Sequence, residues 1–199
     1  MPALSTPTGS GPQPAHPALD VRHDTFVISR GLDAPPAAVF GAFADEQTRR
    51  RWFRLPGSGA TYRHEFRVDG GEDARSTFPI PDADPEQLAY RSRYLDIVEG
   101  RRIVFAYESI VDDVPRWASL VTVLIAAGEE GGSVLTWTEQ VAFLARTGDG
   151  SADLPHLRGG TALRLNGLAA ALKPGRRSDS SGRQRPRAAH ARLVEEEHL

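Results

Sequence analysis

Between residues 61 and 144 apolar and polar side chains alternate in one segment after another, separated by stretches too short to hold a helix. A period of two places every second side chain on one face of a strand. In "TYRHEFRVD" (61–69), Tyr62, His64, Phe66 and Val68 share one face, and Arg63, Glu65 and Arg67 the other. Gly70-Gly71 then reads as a hairpin, since glycine reaches positive φ without a Cβ penalty, and "EDARSTF" (72–78) is its return strand. The prolines of "PIPDADPE" (79–86) make a loop. Strands follow at 88–98, 102–110, 116–127 and 133–144, with turns at Glu99-Gly100, Asp112-Asp113 and Gly131-Gly132. Consecutive strands on such short turns must be antiparallel neighbours.

Ahead of this run lies a strand over 24–32, and then "APPAAVFGAFADEQTRRRWF" (34–53). It divides into two short helices, Pro35 and Pro36 opening the first and Asp45 capping the second. At about eight residues each, neither would persist alone in water. Val39, Phe40 and Phe43 must therefore rest on the sheet, and Trp52 and Phe53 must end in apolar surroundings. After the last strand, Leu157, Thr161, Leu165, Leu168 and Leu172 recur at helical spacing up to Pro174-Gly175. Gly159 and Gly160 weaken that helix by up to about 1 kcal/mol each relative to alanine. The order β-α-α-β6-α predicts an α+β fold, a twisted antiparallel sheet curling so that the final helix lies in its concave side.

The 199 residues suit one folded unit over 22–173, between a Pro/Gly/Ser-rich leader (1–21) and a charged tail (174–199), both expected to be disordered. The tail turns from basic (176–187) to acidic at Glu195-Glu196-Glu197 and reads as solvated. The absence of cysteine removes disulfides, thiolate zinc sites and cysteine nucleophiles, and fits a cytoplasmic protein. A net charge of −2 gives no general attraction for nucleic acid. The first twenty residues carry no secretory signal pattern, and no apolar run approaches the ~18 residues that a membrane span needs.

Following the alternation, one face collects Tyr62, His64, Phe66, Tyr94, Phe105, Tyr107, Trp117, Leu135, Trp137 and Glu139. The strands holding Tyr94 and Tyr107 are mixed on both faces, which leaves their direction open. Core packing and ligand contact compete as explanations of the aromatics. Glu139 shares its face with Leu135, Trp137, Val141 and Phe143, and a buried carboxylate needs a partner; Arg75, Arg91 and Arg93 are candidates. No cofactor or metal site is expected: His64 and Glu65 point to opposite faces, and the other histidines are scattered. Gly148-Asp149-Gly150 lacks the Lys-Ser/Thr of a phosphate loop. No Ser-His-Asp set can be assembled.

Several stretches carry a family resemblance: "APPAAVF" (34–40) with Trp52, "FRVDGGE" (66–72), "YLDIVEGRRIVFAYE" (94–108), "SLVTV" (119–123), "LTWTEQVAFL" (135–144) and "GLAAAL" (167–172). In this order they resemble the SRPBCC superfamily, also called START-like or birch-pollen-allergen-like, with its helix-grip fold. Within it the chain resembles the family homologous to the activator of the ninety-kilodalton heat-shock chaperone's ATPase. The resemblance implies that the two short helices form a V plugging one end of the sheet, with Trp52 closing the join. It also implies an elongated apolar cavity between sheet and long helix, as members bind lipids, sterols or polyketides. The implied ligand contacts are Trp52, His64, Phe66, Tyr94, Phe105, Tyr107, Trp117, Trp137, Glu139 and Leu165. The expected partner is a small apolar molecule, without nucleic acid or membrane, for a monomer or homodimer. The alternatives are a co-chaperone-like module contacting the heat-shock chaperone through the outer face of the sheet, and a cyclase or hydrolase using Glu139, His64 and Tyr107.

Overall fold

A computed structural model describes residues 21–173. The expected leader and tail lie outside the described residues, apart from residue 21. Seven strands form one antiparallel sheet: β1 (Arg22–Leu32), β2 (Ser58–His64), β3 (Glu72–Phe78), β4 (Glu86–Val98), β5 (Arg102–Val111), β6 (Val114–Ala127) and β7 (Ser133–Phe143). Their order across the sheet is β1-β7-β6-β5-β4-β3-β2. The six later strands form a meander, and β1 adds to its last strand, with Ile28 opposite Trp137. The helices are α1 (Pro36–Ala44), α2 (Glu46–Trp52) and α3 (Asp153–Leu172). This is the α+β, helix-grip arrangement: α3 lies on one face of the sheet, with α1 and α2 packed against it.

Alternation decides what faces α3. On β7, Leu135, Trp137, Glu139, Val141 and Phe143 are all buried, and so are Val121, Val123 and Ile125 on β6. Tyr94 and Tyr107, whose direction the sequence left open, both point inward at 1% and 6% exposure. Leu157, Thr161, Leu165 and Leu168 supply the buried stripe of α3. This helix is unbroken over 20 residues and starts ahead of the expected stripe. Pro155 falls in its first turn, where a missing N–H costs nothing. Gly159 and Gly160 are exposed with open space around them, so they weaken propensity without a packing defect.

The V forms at Asp45. Its N–H donates to the Gly41 carbonyl (2.8 Å), ending α1, while its side chain accepts from the Thr48 N–H (2.7 Å), starting α2. Trp52 closes the join: its Nε1–H donates to the Ala42 carbonyl (2.9 Å), and its ring meets Phe43 edge-on at 4.9 Å. Gly167 on α3 passes beside it, and even a Cβ there would stand 3.4 Å from the Trp52 Cβ, in ordinary van der Waals contact.

The expected strand over 61–69 is corrected. β2 ends at His64, and Phe66 and Val68 lie in the connection to β3. That connection leaves its hairpin partner and bonds to β4: Asp69 N–H donates to the Tyr94 carbonyl and Tyr94 N–H to the Gly70 carbonyl, both at 2.9 Å. Asp69, not a glycine, takes the positive φ of 65°. Gly70 and Gly71 are required for close approach instead: a Cβ would sit 2.3 Å from the Glu65 carbonyl oxygen or 1.9 Å from that of Ser92.

Candidate functional site

Two polar centres interrupt the apolar inner face. The first surrounds Glu139, which is fully buried. Tyr107 Oη–H and Ser119 Oγ–H donate to its Oε1 at 2.5 and 2.7 Å, and Trp137 Nε1–H donates to Oε2 at 2.9 Å. Trp117 Nε1–H donates in turn to Tyr107 Oη (3.1 Å). An ionised carboxylate is acceptor-only, so a ring of donors matches it. The expected arginine partner is corrected: Arg75 and Arg91 lie beside Asp73, Arg91 also beside Glu108, and Arg93 beside Asp69. Strand alternation places these three arginines on the outer face, opposite Glu139. Burial, followed by the nearby Glu139 charge, pushes the Tyr107 hydroxyl well above its ordinary pKa.

The second centre joins α2 to β3 and β2. Arg49 Nε–H and Nη2–H donate to the two oxygens of Glu72 at 2.7 and 2.8 Å, a bidentate pair with side chains 2% and 0% exposed. The guanidinium carbon lies 4.0 Å from the Trp52 ring centroid and 4.5 Å from that of Phe53. Tyr62 Oη–H also donates to Glu72 Oε1, and Ser92 Oγ accepts from the Glu72 N–H (2.9 Å). Burial opposes the Glu72 charge, but Arg49 and the Tyr62 hydrogen bond outweigh it and hold the carboxyl below its ordinary pKa. Desolvation lowers the imidazole pKa of His64, whose Nε2 is 3.1 Å from Tyr94 Oη. Burial raises the hydroxyls of Tyr62, Tyr90 and Tyr94.

Tyr90 spans the two centres, stacking on Tyr107 at 5.0 Å and tilting against Phe53 at 4.7 Å. Phe105 meets both Tyr94 (5.9 Å) and Trp137 (5.6 Å). The structure thus gathers Tyr94, Phe105, Tyr107, Trp117, Trp137 and Glu139 on one face. Leu165 joins the same buried cluster from α3, and Trp52 from α2. Phe66 reaches it from the β2–β3 connection, half-buried between Phe40 and Tyr94. The trio Glu139, Tyr107 and His64 is not one constellation: His64 belongs with Tyr94, and only Tyr107 bonds to Glu139.

Arg49, Glu72 and Tyr90 were missed as candidates. Arg49 stands in "TRRRW", which resembles an ordinary charged helix surface, yet it is one turn before Trp52 and so shares its face. The inward positions of β3 are Glu72, Ala74 and Ser76. A strand with so little apolar surface to bury signals that its carboxylate has a partner in the core.

Two recesses stand out. One, of about 260 Å³, opens on the inner layer between the end of α2 and strands β2 and β3, with Phe53, Tyr62 and Ala74 among its lining. The other, of about 740 Å³, is a groove on the outer face, crossing β4, β5, β6, β7 and β1. Ala106, Ala118 and Ala142 leave it shallow-floored, and Arg91, Arg93, Glu108 and His23 line it. Among the described residues no three His, Asp or Glu side chains cluster as a metal site, and no helix is long and apolar enough to cross a membrane.

No protein of curated function matches this chain. An uncharacterised protein from Rhizobium leguminosarum is similar in structure, with 37% identity and a TM-score of 0.65 over 77% of this chain and 96% of its own. The Mll3558 protein from Rhizobium loti matches with 38% identity and a TM-score of 0.63, over 76% and 99% of the two chains. Protein CV1439 from Chromobacterium violaceum follows at 25% identity and a TM-score of 0.53, over 76% and 99%. Residues 33–173, which hold both polar centres and every candidate side chain, match the family described as activator of Hsp90 ATPase homolog 1-like protein, and the chain belongs to that family.

Proposed function

We propose that this protein binds a small hydrophobic or amphipathic ligand on the inner face of its sheet, between the sheet and α3. The observation that carries this reading is the recess beside Phe53 and Tyr62, which leads onto a continuous aromatic layer. Glu139 supports it. A core needed only for packing is served as well or better by an apolar residue than by a buried carboxylate, whereas a ligand with one polar group uses an oriented acceptor. The proposed contacts are the ten side chains nominated above, with 22–173 as the functional unit. Native mass spectrometry of gently purified protein, with organic extraction, tests the reading. The expected result is an added mass of a few hundred daltons (on the order of a drug-sized ligand), lost in Trp137→Ala or Phe66→Ala. Retention of that mass in both folded variants would place the ligand elsewhere.

A second reading, a protein-interaction module whose partner is a heat-shock chaperone, is favoured by the outer-face groove of about 740 Å³. Under it, Ala118→Arg in the groove would abolish complex formation with the chaperone, and Trp137→Ala would not.

A further inference from the structure

We propose that the outer face of the sheet is covered by a second copy of this chain, the two sheets packing face to face about a two-fold axis. The inference is independent of the inner-face ligand. Every outward position from 25 to 29 on β1, from 134 to 142 on β7 and from 118 to 126 on β6 is uncharged, as are Val104 and Ala106 on β5. The strand register sets Val27, Thr138, Thr122 and Val104 in one row across these four strands. Val27, Leu120, Leu124 and Val134 are between 37% and 49% exposed, so large apolar side chains stand in water here. Grouped on one face, they mark an association site, which apolar residues scattered singly over a surface would not.

Charge, area and relief point to a second copy. The charges at the β4–β5 side of the face are paired off, Arg91 with Glu108, Arg93 with Asp69 and Arg102 with Asp96. A strongly acidic or basic partner finds no surplus to match there, whereas an identical surface meets it without net repulsion. With strands about 4.8 Å apart and outward residues about 6.7 Å apart along each, the uncharged area is on the order of 500 Å² in outline. The accessible area of a corrugated sheet exceeds its outline, which brings the face close to the roughly 800 Å² per partner of a stable interface. Two twisted sheets also pack naturally in this way, about 10 Å apart with their side chains interdigitated. The relief is self-complementary: the groove runs over Ala142, Ala118 and Ala106, and the strip beside it carries Val27 and Leu124. A two-fold rotation seats the ridge of each copy in the groove of the other.

Sedimentation velocity of the full chain, from about 1 to about 200 µM, tests this. The expected result is a dimer that dissociates on dilution. Leu124→Glu on the ridge and Ala118→Arg in the groove should each weaken it at least tenfold, roughly the effect of a charge at the centre of an interface. Both positions are at the surface of the single chain, so thermal melting of the variants should show the fold retained. Leu163→Glu, on the exposed side of α3, should leave the dimer unchanged. Mixing the Leu124→Glu and Ala118→Arg proteins should restore dimers, because one ridge then sets Glu against Arg while the other contact keeps its original residues. A parent protein that stays monomeric throughout would overturn the proposal and leave this face to the chaperone reading. A dimer indifferent to both outer-face variants, or weakened equally by Leu163→Glu, would place the contact elsewhere. A mixture no more dimeric than its components would overturn the seating of ridge in groove.

Discussion

Arg49 and Glu72 come from a helix and a strand that share no local contact, yet they meet as a bidentate pair with almost no exposure. Each charge is tolerable in the core only because the other is there. Arg49→Met or Glu72→Leu alone should cost about 3–5 kcal/mol. The double replacement Arg49→Met/Glu72→Leu should cost clearly less than the sum, as read by urea unfolding; additive losses would show that the pair is not coupled. The same residues set the acid limb of stability. Glu72 and His64 both titrate below their ordinary values of 4.5 and 6.5. In each case the unfolded chain takes up its proton at a higher pH than the native protein does, so stability is full above the ordinary value and falls as pH drops through it. A shallow decline should begin below pH 6.5 and vanish in His64→Gln, with a steeper one below pH 4.5 that Glu72→Gln removes. A urea midpoint unchanged from pH 7 to 5 in the parent protein would contradict the role assigned to His64.

Among the elements, the β2–β3 connection and α3 respond in opposite ways to the same change. At Gly71 a Cβ would stand 1.9 Å from the Ser92 carbonyl oxygen, a backbone atom that cannot swing aside. Gly71→Ala should therefore destabilise by about 1–3 kcal/mol, as overpacking does. Gly159 and Gly160 have nothing within 4 Å, and Ala there should stabilise by about 0.5–1 kcal/mol each through helix propensity. Thermal denaturation of the three variants checks both signs. The connection also shows a limit of pattern reading. Alternation continues through Phe66 and Val68 as if β2 did, but hydrogen bonds to Tyr94 on β4 take the backbone elsewhere. Such competition between two partners for one segment leaves no mark on the segment's own periodicity.

For the whole molecule, one sheet separates two different surfaces. Its inner face, against α3, holds aromatic rings linked to Arg49–Glu72 and Glu139; its outer face is a groove over alanines between exposed arginine–carboxylate pairs. The candidate ligands of the two faces differ accordingly, a small apolar molecule inside and a macromolecular surface outside. The inward direction of Glu139 was legible because alternation on β7 is strict from Leu135 to Phe143. Its partners were not, since arginines nearby in composition lie on the other face.

Periodicity and turn chemistry by themselves determined most of the elements, the antiparallel meander, the inward side chains of β7 and the helix that closes the fold, because all of these depend on local spacing and on which side chains avoid water. Tertiary structure alone decided that Arg49 turns inward to Glu72 and that Tyr90 links the polar centres. These pairings join α2 to β3 and β4 to β5. Their energy depends on distance and burial across separated segments, quantities that only the curled sheet fixes.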